Sequence, residues 1–476
     1  MAQHLRRRKL CAHSMATALA VCLALSACGG GGGTGSPSRT DSPHAGSSEG
    51  NGHGMEGASA PQNSDRPTSE TVYIKRGPAS SDGSFGQQIA FSPDGSVLAV
   101  GHGTALELFT RRSGHWASAQ VLAFEGGAAP VPAFASDGSL FVGLPGVDSG
   151  PVDAGQVKVF AVGAGGWTLA ETWHTPSPVH HGRFGAALSV SADGLVAVVG
   201  EPGVFTPGRV HVYRRQGARW TREQIIEHPQ AGSRFGAQAQ LSADGSTLVV
   251  GAMFEDNGPS DDPADTRLRH AGAAYVFGFD SAAGAWRAQA YLKAPSPAAH
   301  QWFGAATAIS GDGSTLVIGE RFRDQGGWPG AGAAYVFHRS AAAYALTQTL
   351  DSPQPKATGH FGGHALALTQ DGSVLAVGEI GDTSTGTGMG ADPTQAGRSW
   401  AGATHLYRRH GARFVHANFV KASNTGQADL FGWALALTQD GSTLAVGAPA
   451  EASSSTGIGG DPLNNNQLHQ GAVYVY

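Results

Sequence analysis

One unit recurs seven times in this chain of 476 residues, and that recurrence restricts the fold more than any other feature. The last copy shows the unit in full. It starts at Phe431-Gly432, runs through an apolar stretch to Asp440-Gly441, continues through STLAVGAP, and after a long loop ends in GAVYVY at Tyr476. The same order starts at Phe361, Phe303, Phe235, Phe184 and Phe85, and a further copy keeps Asp137-Gly138 without its Phe-Gly. Between copies lies a fourth stretch that opens on an aromatic: Trp116, Trp167, Trp220, Trp286, Tyr344 or Phe414. A unit of this length is one supersecondary piece that cannot bury its faces alone, so the copies must pack against one another.

Each copy reads as three strands, at 434–438, 443–447 and 472–476 in the last one, with the stretch between copies as a fourth. Short runs of Val, Leu, Ala and Tyr separated by turn dipeptides are the signature of β structure. Runs such as LAVGA are apolar on both faces, as in a sheet covered on both sides. Four-stranded sheets in series, each covered twice, pack radially. The expectation is an all-β fold, a seven-bladed β-propeller of four-stranded antiparallel blades over 71–476. The last copy stops after its third strand, while the stretch TVYIKRG matches a fourth strand with no copy before it. Residues 71–76 are therefore expected to pair with 472–476, so that the N-terminal strand closes the last blade and removes an open edge.

The Phe-Gly … Gly-Ala-Pro signature with GAAYVF-like third strands resembles the FG-GAP repeats of integrin α-chain propellers, and more closely the shorter bacterial FG-GAP type with SxDGxxLxVG hairpins. The resemblance covers 71–476. It implies the propeller fold and ligand contacts on the loop-rich face. In the integrin chains the Asp-Gly turn is enlarged into an Asp-x-Asp-x-Asp-Gly calcium loop. Here each turn has one carboxylate (Asp94, Asp137, Asp193, Asp244, Asp312, Asp371 or Asp440), too few for an ion that takes six to eight oxygens. A single Asp before Gly is what a tight hairpin with positive φ requires, so no metal is expected.

The first residues belong to export. Arg6-Arg7-Arg8-Lys9 followed by an apolar run is a signal segment over 1–27, too short to span a membrane as a mature helix. Leu25-Ser26-Ala27-Cys28 resembles a bacterial lipobox, with Cys28 the acylated residue; the alternative is a plain signal peptide with a small-residue cleavage site. The other two cysteines, Cys11 and Cys22, would leave with the signal, so the mature domain has no disulfide. Residues 28–70, rich in Gly, Ser and Pro, read as a tether reaching on the order of 35 Å. The chain is then exported and lipid-anchored in the cell envelope, at the outer membrane in a Gram-negative cell. With 14% charged residues and a net charge of −5, it lacks the basic stripe of a nucleic-acid binder.

The recurring aromatics read as packing, because a carbohydrate platform would be confined to a few blades. His181, His300 and His360 precede Phe-Gly pairs near the mouth of the ring, but no carboxylate or cysteine shares their spacing, and they read as scattered surface histidines. Three long loops, 254–271, 380–401 and 451–470, carry Asp-Pro ten residues before the Gly that opens the third strand. Up-and-down connectivity puts these loops and the linkers before Phe-Gly on one face, and the hairpin turns on the other. Asp262, Arg267, Asp392, Arg398, Trp400, Asp461, Asn464 and Asn465 are the candidate ligand contacts on that face. Asp-Pro also forms turns, and the aspartates could simply fix the loop shape. No catalytic constellation, cofactor motif or phosphate-cradling loop stands out. The expected function is a monomeric, non-catalytic binding or adhesion module for a protein or glycan; the alternative is a hydrolase or lyase acting on envelope polysaccharide from the central mouth.

Overall fold

The computed structural model describes residues 72–77 and 83–476, apart from 261 and 342. The expected signal segment, Cys28 and the expected tether lie outside the described residues. Every regular element described is a strand. The strands form seven four-stranded antiparallel sheets, a seven-bladed propeller. Blade 1 consists of Gln88–Phe91, Val97–His102, Ala105–Arg112 and His115–Ala123; blades 2 to 6 span 131–173, 187–231, 238–292, 303–350 and 366–420. Blade 7 takes Ala434–Leu437, Leu444–Ala448 and Ala472–Val475, and its fourth strand is Val72–Ile74. The closure follows the expected pairing, with Val72 opposite Val475, Tyr73 opposite Tyr474 and Ile74 opposite Val473.

The core lies between blades. Seven apolar clusters form, each joining residues of two neighbouring blades. The two glycines of the repeat make that approach possible. A Cβ on Gly447 would stand 2.1 Å from the carbonyl oxygen of Gly86 in the next blade, and one on Gly319 would stand 1.9 Å from that of Gly362. The Gly of the second strand and the Gly of the following Phe-Gly thus meet backbone to backbone. Where Phe-Gly is missing, the Pro130 backbone takes the place, 2.2 Å from a Cβ on Gly101. The Phe of each Phe-Gly is fully buried, and five of the six (Phe85, Phe184, Phe303, Phe361 and Phe431) bridge in parallel to the Gly that opens the preceding blade's third strand.

The Asp-Gly turns form as expected with one difference. Only the glycine adopts positive φ, and the aspartate acts through its side chain. Asp371 Oδ1 accepts from Thr369 Oγ1 at 2.6 Å and from the Ser373 amide at 2.9 Å, the local side-chain bond that makes Asp a turn residue. On this turn face a small axial cavity of about 180 Å³ is lined by all seven blades and by no ionisable side chain. Arginines near the ends of third strands reach back one blade, Arg111 to Thr443, Arg339 to Thr247 and Arg409 to Thr315.

Blades 1 to 6 each carry a bulge in the fourth strand, which sharpens local twist. At the bulge, Gln120, Gln224 and Gln348 each reach the next blade's recurring aromatic. Their amides donate to the carbonyl and accept from the N–H of Trp167, Trp286 and Phe414 at 2.8–3.1 Å. These clamps alternate around the ring at seams 1–2, 3–4 and 5–6.

The long loops are part of the blades. Residues 457–459 pair with the outer edge of the closure strand, Lys75 N–H to Gly457 and Gly459 N–H to Tyr73. The 380–401 loop does the same in blade 6, where Met389 bridges to Val420. In the three blades with long loops the residue after the fourth strand is a lysine that pins the loop. Lys75 pairs with Glu451 at 2.5 Å, Lys421 with Asp382 at 2.8 Å, and Lys293 donates to the Gly258 carbonyl at 2.8 Å.

Candidate ligand-binding face

Linkers and long loops share one face, held together by one repeated backbone staple. The residue before Phe-Gly adopts positive φ in six copies: Ser84, Arg183, Arg234, Trp302, His360 and Leu430. A second left-handed residue lies two positions before the Gly that opens the third strand, as at Asp153, His270, Trp400 and His469. The N–H of the first kind donates to the carbonyl of the second: Arg183 to Asp153, Trp302 to His270 and Leu430 to Trp400, at 2.9–3.3 Å. A third position, three residues after the second-strand Gly, donates to the carbonyl two before the Phe, as Phe254 does to Ser233 and Phe322 to Gln301, both at 3.0 Å. Non-glycine residues with positive φ are uncommon and cost on the order of 1–2 kcal/mol each. The staple supplies the compensating bonds and leaves three side chains per seam pointing where the repeat does not dictate their type.

In blades 4 to 6 those positions hold rings. Ring centroids follow one another from His300 to His270 (5.4 Å), Phe254 (5.1 Å), Trp302 (4.7 Å), Phe322 (4.6 Å), His360 (4.8 Å) and Trp400 (5.3 Å). Arginines lie over them, Arg234 on Phe254 at 5.7 Å and Arg321 on Trp302 and Phe322 at 5.6 and 5.3 Å, within cation–π range. Beside the arc, His364 packs on Trp433 at 3.8 Å. Phe254, Trp302, Phe322, Trp400 and Trp433 are all half-buried.

His300 and His360 therefore belong to the arc, whereas His181 lies apart from it. His360 is 1% exposed and neither ring nitrogen has a partner. Burial, then the nearby Arg321, holds it well below the usual histidine range, and the same two causes bring His364 down to about 3. His181 pairs with Asp153 at 2.9 Å. Among the described residues, no group of three or more His, Cys, Asp or Glu side chains is placed to hold a metal ion.

The loop residues singled out in the sequence divide. Asp262, Asp392 and Asp461 are exposed, and each accepts the amide two residues on, Ala264, Thr394 and Leu463, at 2.9 Å. Their shared role is the turn. Asn464 likewise accepts from Asn466, and Asn465 is exposed. Arg267 pairs with Asp265 at 2.7 Å with its side chain 70% exposed. Arg398 is exposed, and Trp400 ends the aromatic arc. Trp400 alone links the predicted set to the arc. Arg234, Phe254, Trp302, Arg321, Phe322, His364 and Trp433 were missed; their only signal is backbone position relative to Phe-Gly and Val-Gly.

Beneath this face runs a set of buried acids. Glu201, Glu320 and Glu379 end second strands and are met from the third strand by His211 (2.6 Å), Tyr335 and His405 (2.7 Å). The Phe of Phe-Gly packs on each partner ring at 5.0–5.5 Å. Thr175 and Ser352 donate to Glu201 and Glu379 at 3.0 Å. In both blades the hydroxyl lies on the carboxylate and the imidazole lies on the same oxygen, which is not the nucleophile–base–acid order. Repetition of one arrangement in separate blades marks a strut.

This geometry defines a class, the seven-bladed β-propeller built from seven copies of one repeat. The FG-GAP repeat model matches residues 286–337, the fourth strand of blade 4 with three strands of blade 5, the same phase as the ring closure. No curated protein matches the chain. Solved structures similar to it include Kuenenia stuttgartiensis hydrazine synthase, at 15% identity and a TM-score of 0.51 over 79% of this chain and 95% of that one. Another is a Bacteroides uniformis protein described as a "putative 6-phosphogluconolactonase", at 12% identity and a TM-score of 0.49 over 74% and 96%. At these identities the likeness is one of fold alone.

Proposed function

We propose that the chain is a non-catalytic binding module, anchored to the cell envelope through Cys28, that presents its loop face to a polar ligand, a glycan or a polar protein patch. The observation that carries this reading is the arc of half-exposed rings and arginines from Phe254 to Trp400. Ligand sites combine aromatic surface with a few fixed polar groups, and here both ride on a backbone stapled to rigid blades. A hydrolase or lyase is less well supported, because the paired acids and histidines beneath the face act as struts and the axial cavity of the turn face is lined by no ionisable group.

Glycan and protein arrays probed with the mature chain test the reading. Trp302→Ala and Trp400→Ala are expected to abolish the signal without unfolding the ring. Binding that survives both, and is lost on substitution in the Asp-Gly turns, would put the ligand on the opposite face. Cys28→Ser is expected to move the protein from the membrane to the soluble fraction, and an unchanged distribution would end the anchoring proposal.

A further inference from the structure

The seam between blades 2 and 3 departs from its counterparts at two positions, Trp173 and Ala197, beside a carboxylate at the bulge. At the bulge where Gln120, Gln224 and Gln348 clamp the next blade, blades 4 and 6 carry Ala290 and Asn418, and blade 2 carries a carboxylate, Glu171, opposite Val159. A carboxylate accepts but cannot donate, so the two-way clamp is lost, and Glu171 Oε2 instead accepts from Trp173 Nε1 at 2.7 Å. Trp173 stands where Leu292, Leu350 and Val420 end the fourth strands of other blades. Ala197 stands where the other second strands have leucine, as Leu98 and Leu248 do. The room left by Ala197 is filled by rings. Trp173 stacks on Tyr213 at 4.2 Å and 12°, and Trp220 lies edge-on to Trp173 at 5.7 Å. Trp220, like Tyr344, is half-buried, whereas Trp116, Trp167, Trp286 and Phe414 are buried.

These three rings, with Glu171, His174, Arg219 and Arg222, line an open cleft of about 440 Å³ at the outer edge of the ring. We propose that the cleft binds one pyranose unit of a glycan. The open part of Trp220 offers an apolar surface to the C–H face of a sugar, the use to which an amphipathic ring is suited. Glu171 Oε1 has no protein partner among the described residues and can accept from sugar hydroxyls, while the arginines donate to ring and hydroxyl oxygens. A lining with both signs of charge favours a neutral, hydroxyl-rich ligand over a purely apolar or simply ionic one. Repetition around a whole ring marks packing; two departures brought together with a carboxylate at a single seam mark a site. This second site lies away from the mouth and does not depend on the proposed function.

The test is saturation-transfer NMR and tryptophan fluorescence titration of the mature chain with the methyl α- and β-pyranosides of glucose, galactose and mannose. At least one is expected to bind with a millimolar Kd. Glu171→Gln can rebuild the clamp to Trp220, so it should keep or raise Tm while weakening binding at least tenfold. Arg222→Ala should weaken it as well, and Trp302→Ala should leave it unchanged. The proposal is overturned if none of the six glycosides binds, if binding persists in both Glu171→Gln and Arg222→Ala, or if only Trp302→Ala removes it.

Discussion

Gly319 cannot carry a side chain without parting two blades, since its Cβ would stand 1.9 Å from the Gly362 carbonyl oxygen. Gly319→Ala is therefore expected to cost more than ~3 kcal/mol, in the range reserved for core disruption. Gly388 also has positive φ (+74°) but open space around it, so Gly388→Ala should cost only the left-handed penalty of about 1–2 kcal/mol. Urea melts of the two variants separate the cases; equal losses would mean that the seam yields easily. The Gly pair was legible as recurrence because only one residue type fits it. The mouth was not legible for the opposite reason. Its positions are fixed by backbone hydrogen bonds, so Arg183, Arg234, Trp302, His360 and Leu430 fill one structural place with unrelated side chains. The recurrent Gly-Glu of VVGE, VIGE and AVGE was visible, but a carboxylate at a strand end reads as solvated until the register sets His211, Tyr335 or His405 against it.

At the scale of elements, the closure strand and the long loops depend on each other. The sequence showed that 71–76 completes blade 7; the described part of that strand is short, Val72–Ile74, and the 451–470 loop lies along its outer edge. That pairing was hidden because the loop has no strand-like pattern, and the residues that pair are Gly457-Ile458-Gly459. The lysines of YIK, YLK and FVK were the available clue, since they recur only where the loop is long. Lys421 and Asp382 are both buried, at 0% and 1% side-chain exposure. Removing one member of such a pair leaves an uncompensated buried charge and costs about 3–5 kcal/mol, while an apolar or neutral pair of similar shape is nearly neutral. Lys421→Ala should lose stability near the low end of that range, because Lys356 also approaches Asp382 at 3.4 Å. Lys421→Met with Asp382→Asn should recover most of it. Equilibrium denaturation of the three chains checks this; a loss under about 1 kcal/mol in Lys421→Ala would mean that the backbone bridges of the loop suffice. For the same reason trimming these loops would open the blades, and point substitutions are the better probes of the binding face.

At the scale of the whole molecule, acid should unfold the ring, and the histidines give the direction. His360 sits well below its ordinary value through burial and then Arg321, His364 at about 3 for the same causes, and the half-buried His270 and His338 are also lowered, mainly by burial. An unfolded histidine titrates near 6.5. Between that value and the native ones the unfolded chain binds more protons, so stability falls as pH drops from about 7 toward 4. Two acids act the other way. Glu320 and Asp429 are raised to about 7, both mainly by burial and Asp429 also by Glu451. In the window from about 4 to 7 the native state holds their protons and the unfolded state does not, so their contribution grows as pH falls. The histidines outnumber them, and the net slope should favour neutral pH. His360→Phe replaces an imidazole that has no hydrogen-bond partner with a ring of similar size, so it should flatten the slope by up to ~1.4 kcal/mol per pH unit at little cost at pH 7.5. Glu320→Gln should steepen it. Chemical denaturation at pH 7.5, 6.0 and 4.5 measures all three chains. A wild-type stability that rises toward pH 4.5, or a slope that His360→Phe leaves untouched, would show that the mouth histidines accept protons in the folded ring.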